Sequence, residues 1–147
     1  MDEGPRFFSI EEANDAVAAL QIEFGRVAQV RAELQPLVEA IGGPEVAVAV
    51  LQDPDADPPG LAAEAERVRE LAGEISAAVE RINAMGCLVK DIEQGLVDFY
   101  AVLDEDPVFL CWQFGEPAVT HWHPLDEGFD ERRPIAGVSY RPPPFPS

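Results

Sequence analysis

The stretch MGCLVKDIEQGLVDFYAVL, residues 85–103, marks the place where the apolar pattern of the chain changes from a helical to a strand period. Its two apolar runs, CLVKDI and LVDFYAVL, flank the sequence Glu93-Gln94-Gly95. A three-residue connection with glycine at the left-handed position is typical of a β-hairpin loop. The stretch therefore predicts an antiparallel hairpin at the start of a sheet.

The register of this hairpin follows from the loop. A three-residue connection places Lys90 opposite Asp98, so that opposite charges face each other across the strands. Asp91 then projects from the other face, beside Val89 and Val97. A carboxylate on an apolar face is either a satisfied buried polar group or a functional acid, and Asp91 is therefore a candidate ligand.

Further strands follow the hairpin. The turns DEDP and GEP divide the next segment into VFLCWQF and AVTHWH, which predicts a meander of about four antiparallel strands over residues 87–124. Trp112 and Trp122 are large strand formers that can anchor this sheet. Beyond Pro124 the pattern becomes irregular, and residues 135–147 form a Pro-rich tail of extended character.

The residues before this sheet have a helical pattern. Ser9 and Glu12 have the spacing of a capping box, and apolar residues then recur at steps of three and four as far as residue 41. A second helix is predicted from Pro59 to Met85. The two helices predict an antiparallel hairpin over residues 9–85. Between them, the apolar run Val46–Leu51 fits either a short strand or an apolar loop.

Together these patterns predict an α+β protein, in which a long antiparallel helical hairpin packs on a small antiparallel β-meander. Residues 1–134 are predicted to form a single domain. The two apolar stripes of the helices exceed what one small sheet can cover, so we expect a homo-oligomer, a dimer or higher, assembled through the helices.

Composition limits the partners and the compartment. With 28 acidic and 10 basic side chains the formal net charge is -18, and the basic residues are scattered, so neither nucleic acid nor an anionic membrane is expected as a partner. The N-terminus lacks the pattern of a secretory signal, and no apolar stretch is long enough to span a bilayer. We expect a cytoplasmic protein whose two cysteines stay reduced.

The strongest candidates for chemistry are the two histidines. His121 and His123 lie two residues apart on a predicted strand, so both imidazoles share one face of the sheet. If the turn at Gly115-Glu116-Pro117 keeps the strands in register, Cys111 faces His121 and Phe109 faces His123. Such a set is a natural start for a site that binds a divalent metal such as zinc. The alternative is that the histidines are packing residues that hydrogen-bond nearby backbone or carboxylate oxygens.

Charged residues nearby extend this candidate set. Glu116 is either solvated in its turn or folds over the histidine face to orient an imidazole. Glu127 completes the spacing of the first metal motif of the cupin barrels, but the later histidine of that pattern is missing. We interpret the match as a coincidence of spacing that still names Glu127 as a candidate ligand. Arg132 and Arg133 either clamp a carboxylate in a bidentate manner or pair with surface acids.

Three segments together carry a family resemblance: VKDIEQGLVDF, LCWQFGEPAVTHWH and GFDERRP. They resemble the bacterial domain of unknown function 2203 over roughly residues 7–134. The resemblance implies a helical first half followed by these motifs, and it implies no established activity. The motif positions that it marks are Lys90, Asp91, Gly95, Leu96, Asp98, Phe99, Cys111, Trp112, Gly115, Glu116, Trp122, His123, Gly128, Phe129 and Arg132 or Arg133. The family pattern is looser at the position of His121.

These observations leave two functional hypotheses. The long apolar stripes are clear and no catalytic set is complete, which favours a non-enzymatic oligomeric binding or scaffold module. The alternative is a metal-dependent enzyme, hydrolase-like or oxygenase-like, in which a metal held by His121, His123 and a carboxylate activates water. The sequence does not identify a small-molecule ligand or a substrate.

Overall fold

The computed structural model describes residues 6–135, so the predicted Pro-rich tail lies outside the described residues apart from Ile135. The helices are α1 Ile10–Ile41, α2 Pro44–Gln52 and α3 Ala62–Ala84. The strands are β1 Leu88–Asp91, β2 Leu96–Leu103, β3 Asp106–Gln113, β4 His121–Pro124 and β5 Arg133–Pro134, with a short 3₁₀ helix at Phe129–Glu131 before β5. The predicted α+β class, with helices packed on an antiparallel sheet, is confirmed.

The helix signals in the sequence act as expected at the start of α1. The Ser9 hydroxyl accepts a hydrogen bond from the Glu12 backbone N–H at 3.0 Å, and the Glu12 carboxylate accepts one from the Ser9 N–H at 2.9 Å. This reciprocal pair satisfies two backbone donors that the first helical turn leaves without partners.

The segment between the two predicted helices is neither a strand nor a loop. The run Val46–Leu51 lies within α2, with Pro44 in the first turn and with Ala47 and Val50 buried. A spacing of three residues places these two side chains on one helical face. The run is too short for periodicity to distinguish a helix from a buried strand, which is why the sequence left it open.

The described residues form two compact units. One contains the residues up to Phe24 together with those from Arg81 onward, and the other contains Gly25–Glu80. The second unit has its own core, and within it Arg67 pairs with Glu33 at 2.6 Å. Its buried core members are Ile41, Ala47, Val50, Ala65 and Val68.

The first unit contains the whole sheet, whose strands follow one another in the order β1-β2-β3-β4-β5 with antiparallel pairing. The fifth strand is a correction to the predicted four, because two residues are too few to show an alternating pattern. One face of β2 and β3 packs on the start of α1 and the segment before it. The side chains that form this core include Phe8, Leu20, Phe24, Val97, Phe99, Leu110 and Trp112.

The predicted register of the first hairpin is wrong, whereas that of β3 and β4 is confirmed. Asp98 lies opposite Leu88 rather than Lys90, and Asp91 lies opposite Leu96, with an irregularity between them. The cause is the Asp91 carboxylate, which accepts hydrogen bonds from the backbone N–H groups of Glu93 and Gln94 at 2.9 and 3.0 Å. An aspartate in this arrangement starts the turn early, so the connection has four residues instead of three.

No single helix among residues 6–135 is long and apolar enough to cross a membrane, and only the bent pair of α1 and α2, at 97°, has the length and composition when the two are taken together.

Gly95, in the loop between β1 and β2, gives a direct test of the first hairpin. Its φ of +72° is the left-handed conformation that the sequence predicts, and a Cβ at this position would lie 2.4 Å from the Phe114 Cβ. We expect Gly95→Ala to lower the melting temperature clearly more than Gly60→Ala. Gly60 has a φ of +77° but no atom within 4 Å of the added Cβ, so both variants carry the backbone strain of about 1–2 kcal/mol and only one carries the clash. Equal shifts in thermal unfolding would contradict the close approach of Phe114.

Candidate functional site

Three buried side chains meet on the face of the sheet opposite the core of the first unit. They are Asp98 on β2, Cys111 on β3 and His123 on β4, with exposed fractions of 3%, 1% and 2%. One carboxylate oxygen, the sulfur and one ring nitrogen all lie within 4.8 Å of one another. Within residues 6–135, no other cluster of at least three His, Cys, Asp or Glu side chains is arranged so that it could hold a metal ion.

The sheet itself explains this convergence. Asp98 and Cys111 are paired residues across β2 and β3, so their side chains share one face. His123 pairs with Phe109, two residues from Cys111 on the same strand. It therefore reaches the cysteine as a diagonal neighbour, a distance that a long side chain can span.

The hydrogen bonds of His123 fix which ring nitrogen faces the site. Nδ1 lies 2.8 Å from the backbone oxygen of Pro124, and since a carbonyl only accepts, Nδ1 carries a proton and donates it. Nε2 lies 3.1 Å from the Asp98 Oδ2. A neutral imidazole that is protonated at Nδ1 has only a lone pair at Nε2. A hydrogen bond between Nε2 and the Asp98 carboxylate therefore requires one more proton, on either the ring or the carboxylate.

Burial also raises the affinity of the other two groups for protons. Loss of solvent raises the pKa of Asp98, although the neighbouring His123 opposes that effect. Burial, together with the charge of Asp98, raises the pKa of Cys111 to about 12. Cys111 is therefore a thiol at neutral pH, and by itself it is not an activated nucleophile.

A cavity of about 130 Å³ adjoins the three groups. Its remaining walls come from both strands of the first hairpin and from the loop after β4. The residues that complete the lining are Lys90, Leu96, Glu127, Gly128 and Phe129.

The loop that covers the site is held by Arg132. Its guanidinium donates two hydrogen bonds to the Glu116 carboxylate, at 3.1 and 2.6 Å, and its Cζ lies 4.2 Å from the centre of the Phe129 ring. The same carboxylate accepts a hydrogen bond from the Gln113 backbone N–H at 2.9 Å. Arg132 therefore clamps a carboxylate in a bidentate manner, which is one of the two alternatives that the sequence left open. Glu116 is the clamped carboxylate, and it bonds to this arginine rather than to an imidazole.

The other predicted ligands lie outside the group. His121 faces Cys111 across the strands, as predicted, but its Nδ1 lies 2.9 Å from the Thr120 hydroxyl. Asp91 caps the hairpin loop. Glu127 lines the cavity and pairs with Arg133 at 3.0 Å.

The two tryptophans differ in environment. Trp112 is fully buried, and its Nε1 donates to the backbone oxygen of Glu116 at 3.0 Å. Trp122 is half-buried, packs at the edge of the same core and lies beneath the guanidinium of Arg133.

Asp98 is the member of the group that the sequence reasoning did not propose as a ligand. The predicted register placed it opposite Lys90, whereas in the structure it lies opposite Leu88. The available signal was alternation: within LVDFYAV, the residues Val97, Phe99 and Ala101 lie on the core face, so Asp98 had to lie on the opposite face in line with Cys111.

Comparison with known proteins gives one family. A family model described as an uncharacterized conserved protein (DUF2203) matches residues 6–135. Comparisons with curated proteins and with solved structures find no significant match. The matched region contains all three buried groups and the loop that covers them.

Proposed function

Because the chain belongs to the DUF2203 family, whose description assigns no activity, we propose its function from the buried site: the protein binds one zinc-class divalent ion through Asp98, Cys111 and His123. The observation that carries this proposal is the convergence of a carboxylate, a thiol and an imidazole, all buried, with their donor atoms within 4.8 Å of one another. These three donor types suit zinc and the neighbouring transition metals.

Charge balance supports a dication. A buried carboxylate or thiolate without a compensating charge is strongly unfavourable, and burial accordingly raises the pKa of Asp98 and that of Cys111. A divalent cation would compensate both ionised groups, because the sum of one carboxylate, one thiolate, one neutral imidazole and the ion is zero. The bound site would therefore place no net charge in the interior of the sheet.

The orientation of His123 supports the proposal. A ligating imidazole commonly donates its remote N–H to a backbone carbonyl or a carboxylate, which fixes the tautomer and points the other lone pair at the ion. His123 donates Nδ1–H to Pro124 and directs Nε2 toward the other two groups. Metal–ligand bonds of about 2.0–2.3 Å place tetrahedral donors about 3.5 Å apart, so side-chain shifts on the order of 1 Å would close the site.

Three protein ligands beside a cavity leave room for a fourth ligand. Structural zinc sites use four protein ligands, whereas catalytic sites keep a position for water or substrate. One sulfur, one nitrogen and one oxygen donor also differ from the two histidines and one carboxylate of iron oxygenases. The site therefore supports the hydrolase-like form of the enzyme hypothesis, in which the ion would activate water, over the oxygenase-like form.

Cobalt(II) is the probe that tests this proposal. We expect titration of the metal-free protein with Co²⁺ to produce the thiolate-to-cobalt absorption band and to saturate at one ion per chain. Cys111→Ser should lose that band, while Cys87→Ser keeps it, since Cys87 is a buried thiol that donates to the backbone oxygen of Ile82. Absence of the band in the wild-type chain, or its persistence in Cys111→Ser, would refute the assignment.

A second candidate function is the oligomeric scaffold, favoured by apolar side chains exposed on the helices. Val48 and Leu51, one helical turn apart on α2, are 51% and 49% exposed, and Ile22 on α1 is 62% exposed. The apolar stripe of α1 that suggested oligomerisation is itself buried, including Val17, Leu20 and Val27. The scaffold proposal therefore now depends on the exposed residues rather than on that stripe.

Light scattering measures the oligomeric state directly. If the exposed residues of α2 form a contact, the wild-type chain at micromolar concentration should have at least twice the mass of a monomer. Val48→Glu together with Leu51→Glu should then yield monomers, because charges at an apolar contact are strongly unfavourable. Ala49→Glu on the same helix is the control for added charge. A strict monomer in the wild type would reject the scaffold role.

A further inference from the structure

The cavity beside the proposed metal site offers space for a small fourth ligand, with a volume of about 130 Å³. Leu96 and Phe129 contribute apolar walls, and Gly128 contributes no side chain. A space of this size suits a ligand such as acetate or propionate.

The charges around the cavity favour an anion. Two of the nearby cations are already paired, Arg132 with Glu116 and Arg133 with Glu127. The negative charge of Glu127, which lines the cavity, is therefore balanced by Arg133. Lys90 also lines the cavity, and its ammonium lies 4.9 Å from the centre of the Phe109 ring. Within residues 6–135 no acidic side chain forms an ion pair with Lys90, although its charge acts on Asp98 from a distance.

Among the residues that the structure describes, metal binding would leave no acidic side chain to compensate the charge of Lys90. The carboxylate that Lys90 favours, Asp98, would be neutralised by the ion together with Cys111. The cavity then has a metal at one end, whose fourth position accepts an oxygen donor, and an ammonium at its wall. A monoanion with an oxygen donor and a short apolar body satisfies all of these features.

We infer that the fourth position of this site binds a small monocarboxylate, with one oxygen on the metal and the negative charge directed toward Lys90. The inference rests on the proposed metal site. It names the class of ligand that the site takes, and it assigns Lys90 as the residue that selects an anion over a neutral molecule of the same shape.

Acetate and acetamide are the matched probes, because they have nearly the same shape and differ in charge. They would be titrated separately into the cobalt-loaded, full-length protein, with the visible spectrum of the ion as the readout. We expect acetate to shift the spectrum with saturation and acetamide to leave it unchanged. Lys90→Gln should weaken acetate binding about tenfold, the effect of losing one favourable charge contact, while cobalt still binds at one ion per chain. Lys90→Arg should retain acetate binding.

The outcomes separate this inference from the metal site itself. If cobalt gives its thiolate band but acetate and acetamide behave alike, the metal site holds and the carboxylate inference is overturned. The same conclusion follows if Lys90→Gln binds acetate as tightly as the wild type does. If no cobalt band forms at all, the proposed metal site fails and the inference fails with it.

Discussion

His123→Ala is expected to abolish metal binding, whereas His121→Ala is expected to leave it nearly unchanged. His123 is buried, with Nε2 directed at Asp98, while His121 bonds to the Thr120 hydroxyl outside the group. Loss of a residue that only supports a ligand lowers metal affinity about 10–100-fold, so loss of a ligand itself should weaken binding by about 100-fold or more. Competition with a coloured zinc chelator measures both affinities.

Folding controls keep this comparison interpretable. His123→Ala removes the partner of a buried carboxylate, so the circular dichroism spectrum and melting temperature of each variant must be recorded. Cys111→Ala is a second variant that removes a ligand without leaving a cavity as large as that of a missing imidazole. Equal affinities in the His121 and His123 variants would place the ion elsewhere.

Trp112→Ala is expected to give the largest loss of stability in the sheet unit. The indole is fully buried, packs against the ring of Phe24 and donates a hydrogen bond to Glu116. Replacing a buried tryptophan by alanine typically costs about 3–5 kcal/mol, because a large cavity remains and contacts are lost. Urea unfolding followed by near-ultraviolet circular dichroism measures the change in the free energy of unfolding.

Trp122→Ala is the matched control for this effect. The residue type is the same, but Trp122 is half-buried and lies at the edge of the core. Truncation of Trp122 removes fewer contacts, so the loss in the free energy of unfolding should be smaller than that of Trp112→Ala by at least about 1 kcal/mol. Equal losses would contradict the assignment of the two tryptophans to a central and a peripheral position.

Local sequence patterns predict most of the fold. The capping box at Ser9 and the apolar spacing of α1 are short-range signals, because a helix forms its hydrogen bonds within one segment. The alternation in LVDFYAVL likewise places Val97 and Phe99 on the core face without knowledge of any partner strand. The register of β3 and β4 was predictable because the strand lengths and the turn left one simple alignment.

The errors arise where a side chain overrides the backbone pattern. The Asp91 carboxylate bonds to the loop, lengthens the connection by one residue and moves every partner on β1. The irregularity between Val89 and Asp91 adds a second residue, so the partners of Leu88 and Val89 shift by two positions in total. A shift of two residues keeps each side chain on its face and is therefore invisible to alternation, yet it decides which residues meet. Asp98 was consequently given Lys90 as its partner, and its proximity to Cys111 and His123 was missed.

The candidate site, like the fold, combines features that the sequence predicts with features that depend on side-chain contacts. Cys111 and His123 were candidates because their residue types bind metals and their strands are adjacent in sequence. The positions of His121 and Glu116 outside the buried group follow from hydrogen bonds to Thr120 and Arg132, which only the folded chain determines. The sequence thus proposed two of the three residues of this group, whereas its third member, Asp98, was identified only from three-dimensional contacts.

The measurement that tests the metal site most directly is equilibrium dialysis of the untagged, full-length protein against micromolar Zn²⁺, followed by element analysis. We expect one zinc ion per wild-type chain and a value near zero for His123→Ala that still folds. A wild-type chain that remains folded but holds no zinc above the dialysis buffer would refute the proposed metal site.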